Sequence, residues 1–324
     1  MRKPWVAGAV LLILLVVGFL LHRASRQRTL PVPELVAQLP PDADWVGYAD
    51  LAAARRSAFL AKLGSAYAYP GQDPEYAEFV RATGFDYERD LDRVAVALGT
   101  RQSLPFTFVL AEGRWNRERI AAYALRHGER VTTSGPETYV LSKDPSGGFV
   151  FLKFLSRERI ALGHSRGLAH QASSAGERQA WFREPVSRVA GSAILLVGRS
   201  PDWPPYLRAA GIRSAQLETL LRGIEWFSVA LQPREDGLLV FLDAACDTQE
   251  RAKEVAGAVD GLRMLVRAAL GDASIRRRIS PDAWILVESV LEHGETTYQA
   301  NRVRLRIELK EETLTKQSGA EGKR

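Results

Sequence analysis

The sequence predicts an α+β protein: a single N-terminal transmembrane helix followed by two similar, mainly antiparallel sheet-plus-helix units. Three observations predict it. An uncharged apolar run opens the chain, strand-like segments of period two alternate with helix-like segments of period 3.6, and their order recurs in the two halves.

The run Trp5 to Leu21 reads WVAGAVLLILLVVGFLL and spans roughly 25 Å as a helix, against a hydrocarbon core of about 30 Å. Trp5, His22 and Arg23 at its ends suit the membrane interface. A cleaved secretory signal fits less well, because His22-Arg-Ala-Ser-Arg26 follows the run and no A-x-A site is present. The reading is a single-pass signal anchor that contacts the membrane through residues 5–21. The very short N-terminal tail favours a soluble region on the periplasmic or extracellular side, although basic residues flank both ends of the run.

The formal charge of +6 on 324 residues is concentrated in this segment. Residues 1–28 carry Arg2, Lys3, Arg23, Arg26 and Arg28 and no acid, which leaves the remaining chain with 39 basic and 38 acidic residues. A near-neutral folded region argues against nucleic acid as a partner. The one cysteine, Cys246, allows no intramolecular disulfide and no cysteine-based metal site, and its apolar surroundings predict a small buried residue.

The organisation read from the sequence is an anchor with basic flanks (1–28), a proline-stiffened linker (29–39), a first α+β unit (40–180), a second (181–310) and a polar, disordered tail (311–324). The internal repeat rests on the likeness of Leu91-Asp-Arg-Val-Ala-Val-Ala-Leu98 to Ile224-Glu-Trp-Phe-Ser-Val-Ala-Leu231. An apolar strand follows each, over 106–110 and 238–242, and then a helix. Asn116 caps the first helix and Gly128 stops it; Asp247 and Glu250 have capping-box spacing for the second, which runs to Leu270 before Gly271. In that second helix Ala252, Val255, Ala256, Val259, Leu262 and Val266 form one apolar stripe predicted to lie on a sheet. Further strands are predicted at 45–49, 139–141, 149–155, 159–162, 193–197, 284–291 and 303–309.

Pro40-Pro-Asp-Ala-Asp-Trp-Val-Gly-Tyr48 and Gly84-Phe-Asp-Tyr-Glu-Arg-Asp-Leu-Asp-Arg-Val94 carry a resemblance to bacterial membrane-anchored proteins with a duplicated extracytoplasmic α+β region. The resemblance implies that architecture and assigns no functional residue.

One motif bears chemistry. Gly163-His-Ser-Arg-Gly167 fits G-x-S-x-G, the elbow that exposes a serine nucleophile on a tight strand-to-helix turn. Ser165, Asp243 and His293 stand in the chain order of a hydrolase triad. Against that reading, a hairpin precedes the elbow where an α/β-hydrolase has a helix, no His-Gly oxyanion segment lies upstream, and His293 sits in a polar turn. Gly163 and Gly167 then serve the turn. Asp86, Glu88, Asp90 and Asp92 lack the glycine and terminal glutamate of a calcium loop, and His164 and His170 lack metal-ligand spacing. Neither a metal nor a cofactor is expected. The sequence therefore predicts a non-enzymatic, extracytoplasmic protein that binds a protein partner or serves envelope assembly, with a serine hydrolase using Ser165 as the alternative.

Overall fold

A computed structural model of the chain describes residues 33–310 apart from 58, 61–73, 102–103, 132–135, 144–148, 165–179, 200–218, 220, 236 and 273–280. Its helices, in chain order, are α1 (Glu34–Ala37), α2 (Leu51–Arg56), α3 (Pro74–Thr83), α4 (Tyr87–Asp90), α5 (Arg117–His127), α6 (Arg183–Arg188), α7 (Gln249–Ala269) and α8 (Pro281–His293). Its strands are β1 (Trp45–Asp50), β2 (Leu91–Arg101), β3 (Leu104–Gly113), β4 (Glu129–Val131), β5 (Thr138–Lys143), β6 (Phe149–Phe154), β7 (Arg159–His164), β8 (Ile194–Gly198), β9 (Ile224–Arg234), β10 (Gly237–Cys246), β11 (Glu295–Gln299) and β12 (Arg302–Lys310).

The anchored, two-unit architecture gives way to one continuous antiparallel sheet. The strand order is β11-β12-β10-β9-β8-β1-β2-β3-β7-β6-β5-β4. Each half contributes a meander, but β1 pairs with β2 of its own half and also with β8 of the other, Val46 opposite Val197 and Tyr48 opposite Leu195. Two separate units would have left both strands as open edges; pairing them satisfies the backbone groups on both sides. The membrane span expected over residues 5–21 lies outside the described residues. Among the described residues no helix is long and apolar enough to cross a membrane.

Alternation along the strands divides the sheet into two faces. The front face carries Val46, Ala97, Phe108, Leu110, Phe151, Leu195, Val197 and Ala230, one core that draws on both halves. Leu35, Val36 and Leu39 around α1 and Phe182, Val186 and Val189 around α6 cover it. Leu35, Val36 and Leu39, in a stretch read from the sequence as linker, are therefore deep core, and Arg159 fixes α1 by reaching Glu34 Oε1 at 3.0 Å and Gln38 Oε1 at 3.1 Å. On the back face Ile120 and Ala124 of α5 pack on Tyr139, Leu152 and Phe154. At the other end Ala252, Val255 and Ala256 of α7 pack on Ile224, Cys246 and Val303.

Several local expectations hold. Asn116 Oδ1 accepts from the Arg119 N–H at the start of α5, and the strands at 45–50, 138–143, 159–164 and 194–198 lie where alternation put them. Others change. Thr248, not Asp247, caps α7, its hydroxyl accepting from Arg251 N at 3.1 Å. Leu262 of the predicted stripe is 61% exposed. Residues 284–291 are helical within α8 rather than a strand. Pro281 at the first helical position and Gly294 just past the last were the signals that separate a buried helix from a strand of the same apolarity.

Three glycines sit directly across from phenylalanines on neighbouring strands: Gly99 with Phe106, Gly163 with Phe151 and Gly198 with Phe227. In each pair the ring lies over the space a Cβ would fill, at 2.7, 2.5 and 2.8 Å. Phe151 is only 1% exposed and has no room to retreat. Gly163→Ala is expected to cost about 1–3 kcal/mol through overpacking, read as a lower urea midpoint at unchanged m-value.

Candidate functional site

The front face changes character toward the β11 end. Past the apolar core the register lines up Ser228, Asp243, Arg304 and Thr297 across four adjacent strands, all on the front face. Arg302, two residues before Arg304 on β12, points the same way and lies over the Trp226 ring with its guanidinium carbon 5.9 Å from the centroid. Above them α6 brings Glu184 and Arg188. Glu184 Oε1 lies 3.0 Å from Arg302 Nη2 in an ion pair and accepts a hydrogen bond from Arg188.

These residues enclose a cavity of about 590 Å³. Arg188, Arg302, Arg304 and Trp226 line it, and the β11–β12 hairpin closes one side with Thr297, Gln299 and Asn301. The hairpin is held by a reciprocal clasp: Asn301 Nδ2 donates to the Cys246 carbonyl at 2.8 Å, and the Cys246 N–H donates to the Asn301 carbonyl at 2.7 Å. Ala300 in its turn has φ of 51°, a left-handed conformation that costs a non-glycine residue about 1 kcal/mol or more.

Asp243 and Arg304 form the anchor of the cavity floor. Arg304 Nε meets Oδ1 at 2.6 Å and Nη2 meets Oδ2 at 2.7 Å, a two-pronged contact with a carboxylate that is 6% exposed. The hydrogen bonding to Asp243 holds the Arg304 guanidinium above the usual arginine range. Arg304 also lies 5.2 Å from the Phe241 ring centroid. Three guanidiniums against two carboxylates, Glu184 and Asp243, leave the cavity with an excess of one positive charge. It can bind an anion by bidentate hydrogen bonds and stack a planar group on Trp226.

The elements of the hydrolase triad fall elsewhere. Ser165 and Gly167 lie outside the described residues. Asp243 is on the front face and committed to Arg304. His293 ends α8, whose Val290 packs with Leu305, Ile307 and Leu309 on the back face, so the sheet separates it from Asp243. Gly163 has a packing role beneath Phe151, which accounts for the first glycine of the motif. No group of three or more metal-ligating side chains occurs among the described residues. Asp86, from the acidic cluster, caps α4 by accepting from Glu88 N at 3.0 Å, and Asp92 pairs with Arg55 at 2.9 Å.

No family model and no curated protein matches the chain. Among solved structures it is similar to crystal forms I, III and IV of TP0453, a Treponema protein, at 10–11% identity and TM-scores of 0.44–0.46. Crystal form III aligns over 88% of this chain and 98% of its own.

The arginine cavity was missed because β12 was read for its apolar side alone. Arg302, Arg304 and Arg306 alternate with Val303, Leu305 and Ile307, and period-two alternation of arginines was itself a signal that one strand face is cationic. Two outcomes test the geometry. Asp243→Ala removes the two charged hydrogen bonds of the half-buried Arg304 guanidinium and is expected to lower stability by about 1.5–3 kcal/mol, with the double change Asp243→Leu/Arg304→Met recovering most of it in chemical denaturation. Cys246 is fully buried, and desolvation pushes its thiol up to about 11. The folded thiol therefore keeps its proton where the unfolded one ionises. Its contribution to stability is fully present below about pH 9 and is lost as pH rises toward 11. Native protein at pH 8 should resist thiol reagents that label it completely in denaturant.

Proposed function

We propose that the protein is a non-enzymatic binding module that holds a segment of another protein in the cavity beside the β11–β12 hairpin. One observation carries this reading: three arginines and the half-buried Trp226 gather around an open cavity whose buried carboxylate is already occupied by Arg304. Arginine and tryptophan are the side chains that most often dominate protein interfaces, arginine through bidentate contacts and tryptophan through a large rigid surface. The polar groups present suit retention of an anionic group. Asp243, held in two hydrogen bonds by a guanidinium, is a poor general base.

A photo-crosslinking residue in place of Gln299, in the native cell, tests this. A discrete crosslinked protein identified by mass spectrometry, and lost when Arg188→Ala and Arg302→Ala are added, is the expected result. Labelling of the purified chain by a fluorophosphonate, abolished by Ser165→Ala, would instead establish an enzyme and overturn the non-enzymatic reading.

A further inference from the structure

The cavity opens beside one end of the sheet, where among the described residues no further strand pairs with β11. At the opposite end β4 is only three residues long, with Glu129 and Arg130 exposed. Short, charged edge strands of this kind resist pairing with other chains. β11 is five residues long and reads Glu-Thr-Thr-Tyr-Gln, without proline, lysine or a bulge. It pairs with β12 over its whole length, has no second described neighbour, and leaves Glu295, Thr297, Tyr298 and Gln299 exposed, Tyr298 by 47%. Every second residue of an edge strand turns its backbone N–H and C=O away from its partner, so β11 presents an unfilled ladder.

We infer that this edge accepts an extended segment of a partner protein as a thirteenth strand, and that the segment carries acidic side chains at alternate positions. This rests on the protein-binding reading above and specifies its mode. Main-chain hydrogen bonds to β11 supply affinity, and side chains of one parity reach the cavity that Thr297 and Gln299 border on the front face. Arg188, Arg302 and Arg304 outnumber the carboxylates there, so charge complementarity selects Glu or Asp. Side chains of the other parity fall beside Thr296 and Tyr298 on the back face, where β-branched or aromatic residues form good cross-strand pairs. Thr296 itself is fixed by a 2.7 Å hydrogen bond to Asp260 of α7, which braces the strand from behind.

The test is fluorescence anisotropy of the full chain with a labelled, end-capped peptide of alternating Val and Glu. Binding is expected, and its Val/Lys counterpart should bind at least about tenfold more weakly. N-methylation of the glutamates or of the valines, one set and not the other, should weaken binding at least about tenfold, because only alternate N–H groups face β11. This readout needs no protein variant and so is independent of folding defects. Equal sensitivity to both sets, or to neither, would overturn strand addition. A chain that dimerises by light scattering and becomes monomeric on Tyr298→Lys would also overturn it, since a second copy then fills the edge. If no peptide binds but the Gln299 crosslink persists, this inference falls and the protein-binding reading stands; if both fail, both fall.

Discussion

The pairing of β1 with β8 is the contact on which the rest of the architecture depends. Five residues of each strand meet in antiparallel register, and through them two meanders become one ladder. Individually such hydrogen bonds contribute only about 1 kcal/mol net, but leaving them unmade inside a protein costs more. The pairing also decides where the core lies. Val46 and Tyr48 on one side and Leu195 and Val197 on the other pack beneath the same helices, so neither half owns the front-face core. The cavity inherits this arrangement. Phe182 and Val186 seat α6 in the shared core, and α6 in turn holds Glu184 and Arg188 above Arg302.

Local features of this fold were legible in the sequence because local rules govern them. Asn116 before an apolar-periodic run marks a helix start, and alternation over 303–309 marks a half-buried strand. The repeat of strand, strand and helix was also visible, and it matches β2-β3-α5 and β9-β10-α7. What was not legible was the joining of the halves, which depends on a strand pairing between segments far apart in the chain. The 284–291 segment shows a different limit. A short apolar run has the same composition in a buried strand and a buried helix, and only Pro281 and Gly294 distinguished them.

The candidate site was harder to read for a related reason. A residue's role depended on its neighbours across strands, which the sequence does not display. Asp243 looked available for catalysis until the register put Arg304 beside it. His293 looked like a partner for Asp243 until α8 placed it on the back face. Gly163 looked like part of a nucleophile elbow, while its absent side chain makes room for Phe151. In each case the chemistry of the residue type was read correctly and its surroundings were supplied by tertiary structure. The arginines of β12 are the converse, a pattern present in the sequence that gains meaning only when a tryptophan and a short helix close over it.

The β1–β8 pairing also has a consequence in time. Roughly 150 residues separate the two strands, so loop closure delays this contact behind the local hairpins. During synthesis the first meander is complete well before β8 leaves the ribosome. Until then β1 lies bare along one side, its backbone hydrogen bonds to β8 unmade. The strand that ends as the centre of the sheet begins as its most adhesive margin, and the interval between those two conditions is when this chain is most open to pairing with the wrong neighbour.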